Sequence, residues 1–447
     1  MPEKLFRDPL YDYIAVDKDS WLLKLINCPE VQRLRYIKQL GLSHFTYPGS
    51  THSRFSHSLG VYYLMTQCLE QVERTHGTSV FGAGEKEALL AAALLHDIGH
   101  GPFSHATESF FDDHVARAVS IITNCGSSVN KVLSEVDEEL PGKVASLVAK
   151  KPLKGLPQPH LWQKSLISSQ LDMDRLDYLR RDSLASGAEY GNFDWFRILH
   201  TMALKKSPPN QPQKPTLLVW PDKTKYAIEE YIFARFYMYQ SVYYHHTTRA
   251  FEQLLLKILN LGRELASQQD HRDFKQHILP PLRPFLTSGQ TLQLNDFLYL
   301  TDDVVMAQVA VWNKDRNPVL SDLARRLLFR TGLGWTSIQG TEMENPDKII
   351  AIRNYLDQQG KDHNYYLLKD SAKASVYNPY RSVSAREEQS SVTSIILCDE
   401  FYDGGLAEIS EVPDLQRLKA ITAEKSSPVM RYYFPKEHER QIKKLLS

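Results

Sequence analysis

The chain has 447 residues, and its 53 Lys and Arg balance 53 Asp and Glu to a formal net charge of zero. That balance argues against non-specific nucleic-acid binding as the main task, while leaving room for a local basic site. Hydrophobic residues at 42% and charged residues at 24% are ordinary globular values and exclude wholesale disorder.

At roughly 150 residues per domain, the length allows about three domains, or one large domain with an appended lobe. The opening MPEKLFRDPL has no apolar signal core, and no apolar run approaches the roughly 20 residues of a membrane helix. A soluble, cytoplasmic protein without membrane association is expected. Trp21 to Leu40 carries apolar residues at helical spacing, with Arg33, Arg35 and Lys38 on its polar positions. The turn-rich Tyr47-Pro48-Gly49-Ser50-Thr51 leads into a second helix from about Ser56 to Thr75. EKEALLAAALL, Glu85 to Leu95, reads as a buried helix that Gly99 and Gly101-Pro102 end. More helix is expected from Ser104 and around Val129 to Lys150. The segment from Lys205 to Lys225 joins a Pro-rich insertion, KKSPPNQPQKP, to TLLVWPD, a short strand of a surface hairpin. A long aromatic-rich helix or helix pair spans Ala227 to Leu261. Beyond about Trp335, short apolar runs such as YYLLK and SIILC alternate with Gly, Asn and Ser clusters, and SVSAREEQSS reads as an exposed loop. The expected fold is mainly α: a helical core over 1–330, with the Pro-rich insertion near 205–215, and a smaller α+β lobe over 331–447. The cysteines, Cys28, Cys68, Cys125 and Cys398, lack CxxC spacing, which excludes a disulfide scaffold and a standard zinc finger.

Seven of the 16 histidines fall between His52 and His114. Scattered histidines usually decorate surfaces, but HDIGHGPFSH is not scattered. His96 and Asp97 follow a strongly apolar helical run, and adjacent helical residues point about 100° apart. They can therefore share an ion only at a helix end or in a ligand-rich cleft. A carboxylate there would be costly unless paired, and a divalent cation answers that cost. Gly99 and Gly101 leave the backbone beside this point open to close approach by a ligand. His100 and His105 stand just beyond, where they can touch a substrate. Upstream, RFSHSLG supplies His57 at a helix start, with Arg54 three residues earlier. Downstream, SSQLDMDRLDYLRRD sets Asp174 and Tyr178 on one helix face. On spacing alone, the charged run from Asp172 to Asp182 also fits a solvated helix face. His245-His246 are assigned to packing or phosphate contact, and the tyrosines from Tyr226 to Tyr244 to core and subunit contact.

The order His57, His96-Asp97, Asp174 resembles the H…HD…D signature of HD-domain metal phosphohydrolases. QRLRYIKQLG, RFSHSLGVYYL, LLHDIGHGPFSH and DMDRLDYLRRD together resemble the deoxynucleoside triphosphate triphosphohydrolases, or dNTPases. The resemblance is strong over about Asp8 to Asp182, weaker through ARFYMYQSVYYHH, and generic in the C-terminal lobe. It implies hydrolysis of a dNTP to a deoxynucleoside and inorganic triphosphate by water attack on the α-phosphorus. It implies that His57, His96, Asp97 and Asp174 bind a divalent ion; this mixed donor set suits Mn, Fe, Zn or Mg, and a second Mg can accompany the triphosphate. By the same resemblance, Arg54 and His100 contact the α-phosphate, and His105 is the general acid to the leaving 5′-oxygen. His114 and Glu108 correspond to the histidine and carboxylate that orient this acid, although Val115 follows His114 where vertebrate members have a glutamate.

Gln39 and Leu40 match positions that touch the sugar, Tyr178 the tyrosine lying against it, and Asp182 the carboxylate near the 3′-hydroxyl. Arg175 takes the place of a phosphate-binding lysine. Arg235 and Tyr243 match substrate contacts, whereas Tyr239 replaces a histidine. Several members are tetramers assembled by nucleotides at a second site, and Lys4, Gln32 and Arg35 match parts of it. Asn27 replaces the aspartate that reads a guanine edge; an amide offers a donor and an acceptor where a carboxylate offers only acceptors. The implied partners are a dNTP substrate, a nucleotide activator and further copies of the chain, in a dimer or tetramer. Two alternatives remain open: an HD phosphohydrolase or phosphodiesterase for another nucleotide or a nucleic-acid end, and a nucleotide-gated assembly protein with vestigial catalysis.

Overall fold

Pro29 has no amide hydrogen to continue a helix and is best placed at a helix start. In the computed structural model it divides the first helical run into α1 (Trp21–Ile26), α2 (Pro29–Gln32) and a 3-10 turn (Arg33–Tyr36), not one helix through Leu40. The structure describes residues 3–108, 110–111, 113–206, 215–268, 272–287, 293–339, 345–371, 394–400, 405–418 and 429–446. Most of the Pro-rich insertion and all of SVSAREEQSS lie outside the described residues. Ahead of α1 stands an antiparallel hairpin, β1 (Glu3–Asp8) and β2 (Asp12–Asp17), which the sequence reading did not anticipate. Most of its positions are exposed, so its apolar alternation is weak.

The helix expected from Ser56 is α3 (Arg54–His76), begun two residues earlier because the Ser53 hydroxyl accepts the Ser56 N–H. It packs on α4 (Glu85–Leu95), whose alanine and leucine residues are almost all buried, and on α9 (Met173–Ser186). Between α4 and α9 lie α5 (His114–Thr123), α6 (Ser128–Val136), α7 (Leu140–Val148) and α8 (Leu161–Ile167). The helix read over Val129 to Lys150 is thus two, parted at residues 137–139, with Pro141 in the first turn of α7. From Ser104 the described residues before α5 make a 3-10 turn, Ser104–Thr107, and no longer helix.

After α10 (Trp195–Thr201), β3 (Ala203–Lys205) and β4 (Leu217–Pro221) form the expected hairpin. The aromatic helix is a pair, α11 (Lys225–Met238) and α12 (His246–Ser267), joined through a π-turn at Tyr239–Tyr243. Onto α12 fold α13 (Arg272–Gln276), α14 (Arg283–Thr287) and α17 (Pro318–Leu328), and α15 (Leu294–Leu298) leads into α16 (Asp302–Trp312), which packs on α17. The C-terminal sheet has the order β5 (Leu333–Gln339), β9 (Val429–Pro435), β6 (Leu368–Ser371), all antiparallel. Helices α18 (Pro346–Gln358) and Glu439–Leu446 close a separate small core of Ile338, Ile349, Ile352, Leu356, Tyr432, Phe434 and Ile442. A second sheet extends the β3–β4 hairpin with β7 (Ile396–Cys398), parallel to β4, and β8 (Leu406–Glu408). Mainly α with a smaller α+β part is what the pattern predicts. Among the described residues, no helix is long and apolar enough to cross a membrane.

Glu408, at the end of β8, is buried. One of its oxygens accepts the Ser410 amide at 2.8 Å and the other has no partner. Burial pushes its carboxyl up to about 7, despite the opposing Ser410 hydrogen bonds. A carboxyl that holds its proton more tightly folded than unfolded contributes stability in acid that is lost as pH rises toward 7. Between about pH 4.5 and pH 8, Glu408→Gln is therefore expected to gain on wild type by on the order of 2–3 kcal/mol. Calorimetric unfolding at the two pH values measures this, and a difference that stays constant with pH rejects it.

Candidate metal centre and the buried carboxylates behind it

Three helix ends meet in the core. The first turn of α3 brings Arg54 and His57; the end of α4 brings His96 as its C-cap, with Asp97 next; the first turn of α9 brings Asp174. The His57 Nε2 lies 3.0 Å from Asp174 Oδ1 and 3.8 Å from Asp97 Oδ2. The His96 Nε2 lies 3.5 Å from Asp97 Oδ1 and 3.7 Å from Asp174 Oδ1. Ligand atoms of His57, His96 and Asp97 fall within 4.8 Å of one another. The four residues named from the sequence are gathered at one point.

The opposite edge of each ring is already committed. His57 Nδ1 meets Asp177 Oδ2 at 2.8 Å and His96 Nδ1 meets the Ala93 carbonyl at 2.9 Å. Both partners only accept, so each Nδ1 carries the hydrogen and each Nε2 turns a lone pair inward. Both Nε2 atoms are buried without a hydrogen bond. A lone pair facing a carboxylate at 3.0 Å is stable only with positive charge between them. The electrostatics state the same demand. Burial lowers the proton affinity of His57, yet Asp174 and Asp177 outweigh it and push the ring up to about 10. His96 is raised likewise, against its burial, by Asp97 and Asp174. Burial raises Asp97, but Arg54, His96 and His100 hold its carboxyl well below the usual range. Two imidazole nitrogens and two carboxylates that call for a cation fit a divalent metal ion.

Asp177 was not among the residues singled out in the sequence. It accepts from His57, from the Tyr11 hydroxyl at 2.9 Å, and from Arg181 Nε and Nη2 at 2.8 and 2.9 Å. Arg181 also reaches Asp8 at 2.8 Å, so the N-terminal hairpin is tied to the same cluster. Room for this comes from Gly60, one turn after His57. A Cβ there would lie 1.9 Å from Asp177 Oδ1 and 2.5 Å from Arg181 Nη2. Asp172, Asp177, Arg181 and Asp182 are all buried, which rules out the solvated-face reading of this helix. One signal was available: Asp177 follows Asp174 by three residues and so shares its face. Asp8 and Tyr11 had none.

Around the cluster, Arg54 pairs with Asp97 and donates Nε–H to the Ser104 hydroxyl at 2.7 Å. His100 Nε2 is 3.2 Å from Asp97 Oδ1, and its ring stacks on His114 at 3.9 Å. Burial, with Arg54 and His114 adding to it, holds His100 well below the usual histidine range. His114 Nδ1 is 2.5 Å from Glu108 Oε1. The His105 backbone lies in the Ser104–Thr107 turn, but its side chain is outside the described residues. Gly99 does not leave room for a ligand. A Cβ there would lie 2.0 Å from the His114 carbonyl, so this glycine admits the backbone of α5 instead.

On the other flank, the Tyr178 ring stands 6.5 Å from His57 and 6.2 Å from Tyr243. Asp182 accepts from the Tyr243 hydroxyl at 2.8 Å and meets His52 Nε2 at 2.7 Å. Gln39 bonds through its backbone N–H to the His52 carbonyl, and its buried amide oxygen has no partner; Leu40 beside it is buried. Arg175 pairs with Asp172, and Arg235 donates to the Gln170 side chain at 2.6 Å. Of the residues matched to a second nucleotide site, Gln32 and Arg35 touch, at 2.8 Å, near the exposed Asn27; Lys4 stands on β1. His245 and His246 stack on each other, and His246 on Trp335, as packing residues do.

Three substitutions separate ligands from supports. His57→Ala and Asp174→Ala are expected to abolish tight divalent-ion binding, measured by metal analysis after dialysis. Asp177→Asn, which keeps the side-chain shape but weakens the orienting bond, should lower metal affinity roughly 10- to 100-fold in protein whose circular dichroism shows it folded. Unchanged metal content in either ligand variant would move the ion elsewhere.

Comparison with known proteins agrees with this geometry. The HD domain family matches residues 54–182, the span from Arg54 to Asp182. YwfO of Bacillus subtilis is 36% identical over 380 residues, covering 85% of this chain and 82% of that protein. The deoxynucleoside triphosphate triphosphohydrolase SAMHD1 of Danio rerio is 31% identical over 229 residues, which is 44% of this chain and 36% of that protein. A crystallised phosphohydrolase from Bacteroides thetaiotaomicron superposes with a TM-score of 0.75 at 28% identity, over 97% of this chain and 100% of that one. The chain belongs to the HD-domain phosphohydrolase family and is homologous to YwfO and, over less than half of its length, to SAMHD1.

Proposed function

We propose that the protein hydrolyses deoxynucleoside triphosphates to deoxynucleoside and inorganic triphosphate at this centre. One observation carries the reading. The cluster continues into a chain of contacting polar and aromatic residues, from His57 to Tyr178, Tyr243, Asp182, His52 and Gln39. A nucleotide with its α-phosphate at the cluster would lay its sugar against Tyr178 and Leu40. Its 3′-hydroxyl would then meet Asp182 and the unpartnered Gln39 oxygen. A buried acceptor without a donor is the kind of group that selects a hydroxyl-bearing ligand.

A divalent ion held by His57, His96, Asp97 and Asp174 would supply a water of lowered pKa and polarise the α-phosphate. The remaining chemistry belongs to side chains. Arg54, oriented by Ser104, offers its guanidinium to an α-phosphate oxygen. His100, kept neutral, holds its ring against Asp97 beside that oxygen. His105 is the proposed acid to the leaving 5′-oxygen, and the His114–Glu108 pair is its proposed support. Arg175 and Arg235 neutralise the outer phosphates. The exposed face of Asn27, Gln32 and Arg35, with Lys4, is the candidate for nucleotide control of a dimer or tetramer.

Metal-loaded protein incubated with each dNTP alone and in pairs, followed by ion-exchange separation, tests the reaction. The expected products are deoxynucleoside and intact triphosphate, with the pairs exposing any activator. His96→Ala should abolish turnover, and Asp182→Asn should lower kcat/KM about 10-fold. Monophosphate with pyrophosphate, or orthophosphate, would keep the hydrolase and reject the triphosphohydrolase. No product from any nucleotide pair would favour a nucleic-acid end or an assembly role.

A further inference from the structure

Two buried charges stand behind the site and reach it through backbone groups, not through the side chains of the proposed ligands. Asp302, the first residue of α16, is fully buried. Its Oδ1 accepts the Phe103 N–H at 2.7 Å and its Oδ2 accepts the Lys38 N–H at 2.9 Å. Arg33 is equally enclosed. Its Nη1 donates to the His100 carbonyl at 2.8 Å, and its Nε and Nη2 donate to carbonyls of Phe297 and Leu300 at 2.5–3.1 Å. The guanidinium also lies over the Phe297 ring at 3.9 Å.

These contacts are not explained by capping α16, because the Thr301 hydroxyl already accepts the Val304 N–H as its N-cap. Burial pushes the Asp302 carboxyl up to about 6, so a carboxylate is retained here against a desolvation penalty. What the two charges hold is the loop that carries the chemistry. Phe103 and Ser104 both have left-handed backbones, with φ of 56° and 55°. That conformation costs roughly 1–2 kcal/mol per non-glycine residue and persists only where the surroundings enforce it. Ser104 in turn holds Arg54 at 2.7 Å and the Lys38 carbonyl at 3.2 Å, and Gln39 follows Lys38.

We propose that Asp302 and Arg33 are positioning residues that hold the His100–Ser104 loop and the Lys38–Gln39 peptide in register with the metal cluster. The kinetic part of this rests on the phosphohydrolase reading; the structural part does not.

The test uses the full chain loaded with divalent metal. Asp302→Ala removes both acceptors and Asp302→Asn keeps one. Asp322→Asn disrupts a different ion cluster, on α17 with Arg325, Arg326 and Tyr366, and serves as the stability control. In Asp302→Ala, backbone amide exchange at Lys38 and Phe103 should accelerate roughly 10-fold or more. With a dNTP as probe, kcat should fall roughly 10- to 100-fold while KM stays within about threefold and bound metal is unchanged. Asp302→Asn should fall between Ala and wild type, and it carries the same readouts if Asp302→Ala does not fold. Asp322→Asn should lower the melting temperature with kcat intact. Unchanged exchange at Lys38 and Phe103 overturns the clamp, whatever the substrate is. Faster exchange with unchanged kcat, or a fall in kcat that tracks metal loss, overturns the positioning role. A wild type that hydrolyses no dNTP, with faster exchange in the variants, rejects the substrate reading and supports the clamp.

Discussion

A carboxylate enclosed by protein must have its lone pairs met by donors, and around Asp177 the structure is arranged to do so. His57, Tyr11 and two nitrogens of Arg181 supply those donors. Each comes from a different part of the chain: α3, the turn after β1, and α9 itself. Removing one partner from such a group leaves a buried charge short of compensation, at about 3–5 kcal/mol. The hairpin, the start of α3 and α9 are therefore held together by one anion. Gly60 is the covalent trace of that constraint, since any larger residue would occupy the space the anion fills.

The same bond decides the chemistry of the ion site. By taking the Nδ1 hydrogen of His57, Asp177 turns the Nε2 lone pair toward Asp174 and Asp97. The Ala93 carbonyl does this for His96. Acceptors then face acceptors, and the cluster is stable only with positive charge at its centre. Arg54 meets part of that need at Asp97, and a divalent ion would meet the rest. The orientation of two rings, not the number of histidines, fits the site to a cation.

Farther out, the polar groups fall into two layers with separate duties. Tyr178, Tyr243, Asp182, His52 and Gln39 line one flank and are joined through direct contacts. Behind the other flank, Arg33 and Asp302 make their hydrogen bonds to backbone groups, with the Phe297 ring beneath Arg33 and the Lys38 ammonium 3.8 Å from Asp302. Side chains that bind ligands need freedom to exchange partners, whereas side chains that bind backbone fix its path.

The sequence by itself determined that helices dominate, where α3 and α4 run, and which four side chains gather at the candidate metal centre. Those features are local: capping serine, apolar period and a His-Asp pair at a helix end all act within a few residues. Local signals also misled where two readings share one pattern, as when Pro29 parted the run through Leu40 and the backbone of α5 filled the space beside Gly99. Only the tertiary structure decided which ring nitrogens face the centre of the cluster, that Asp177 is the hub, and that Asp302 stands behind the loop. Those contacts join residues 120, 166, 199 and 264 positions apart. No periodicity of 2.0 or 3.6 residues reaches that far, because such pairs are set by how whole helices pack and not by the turn each residue sits in.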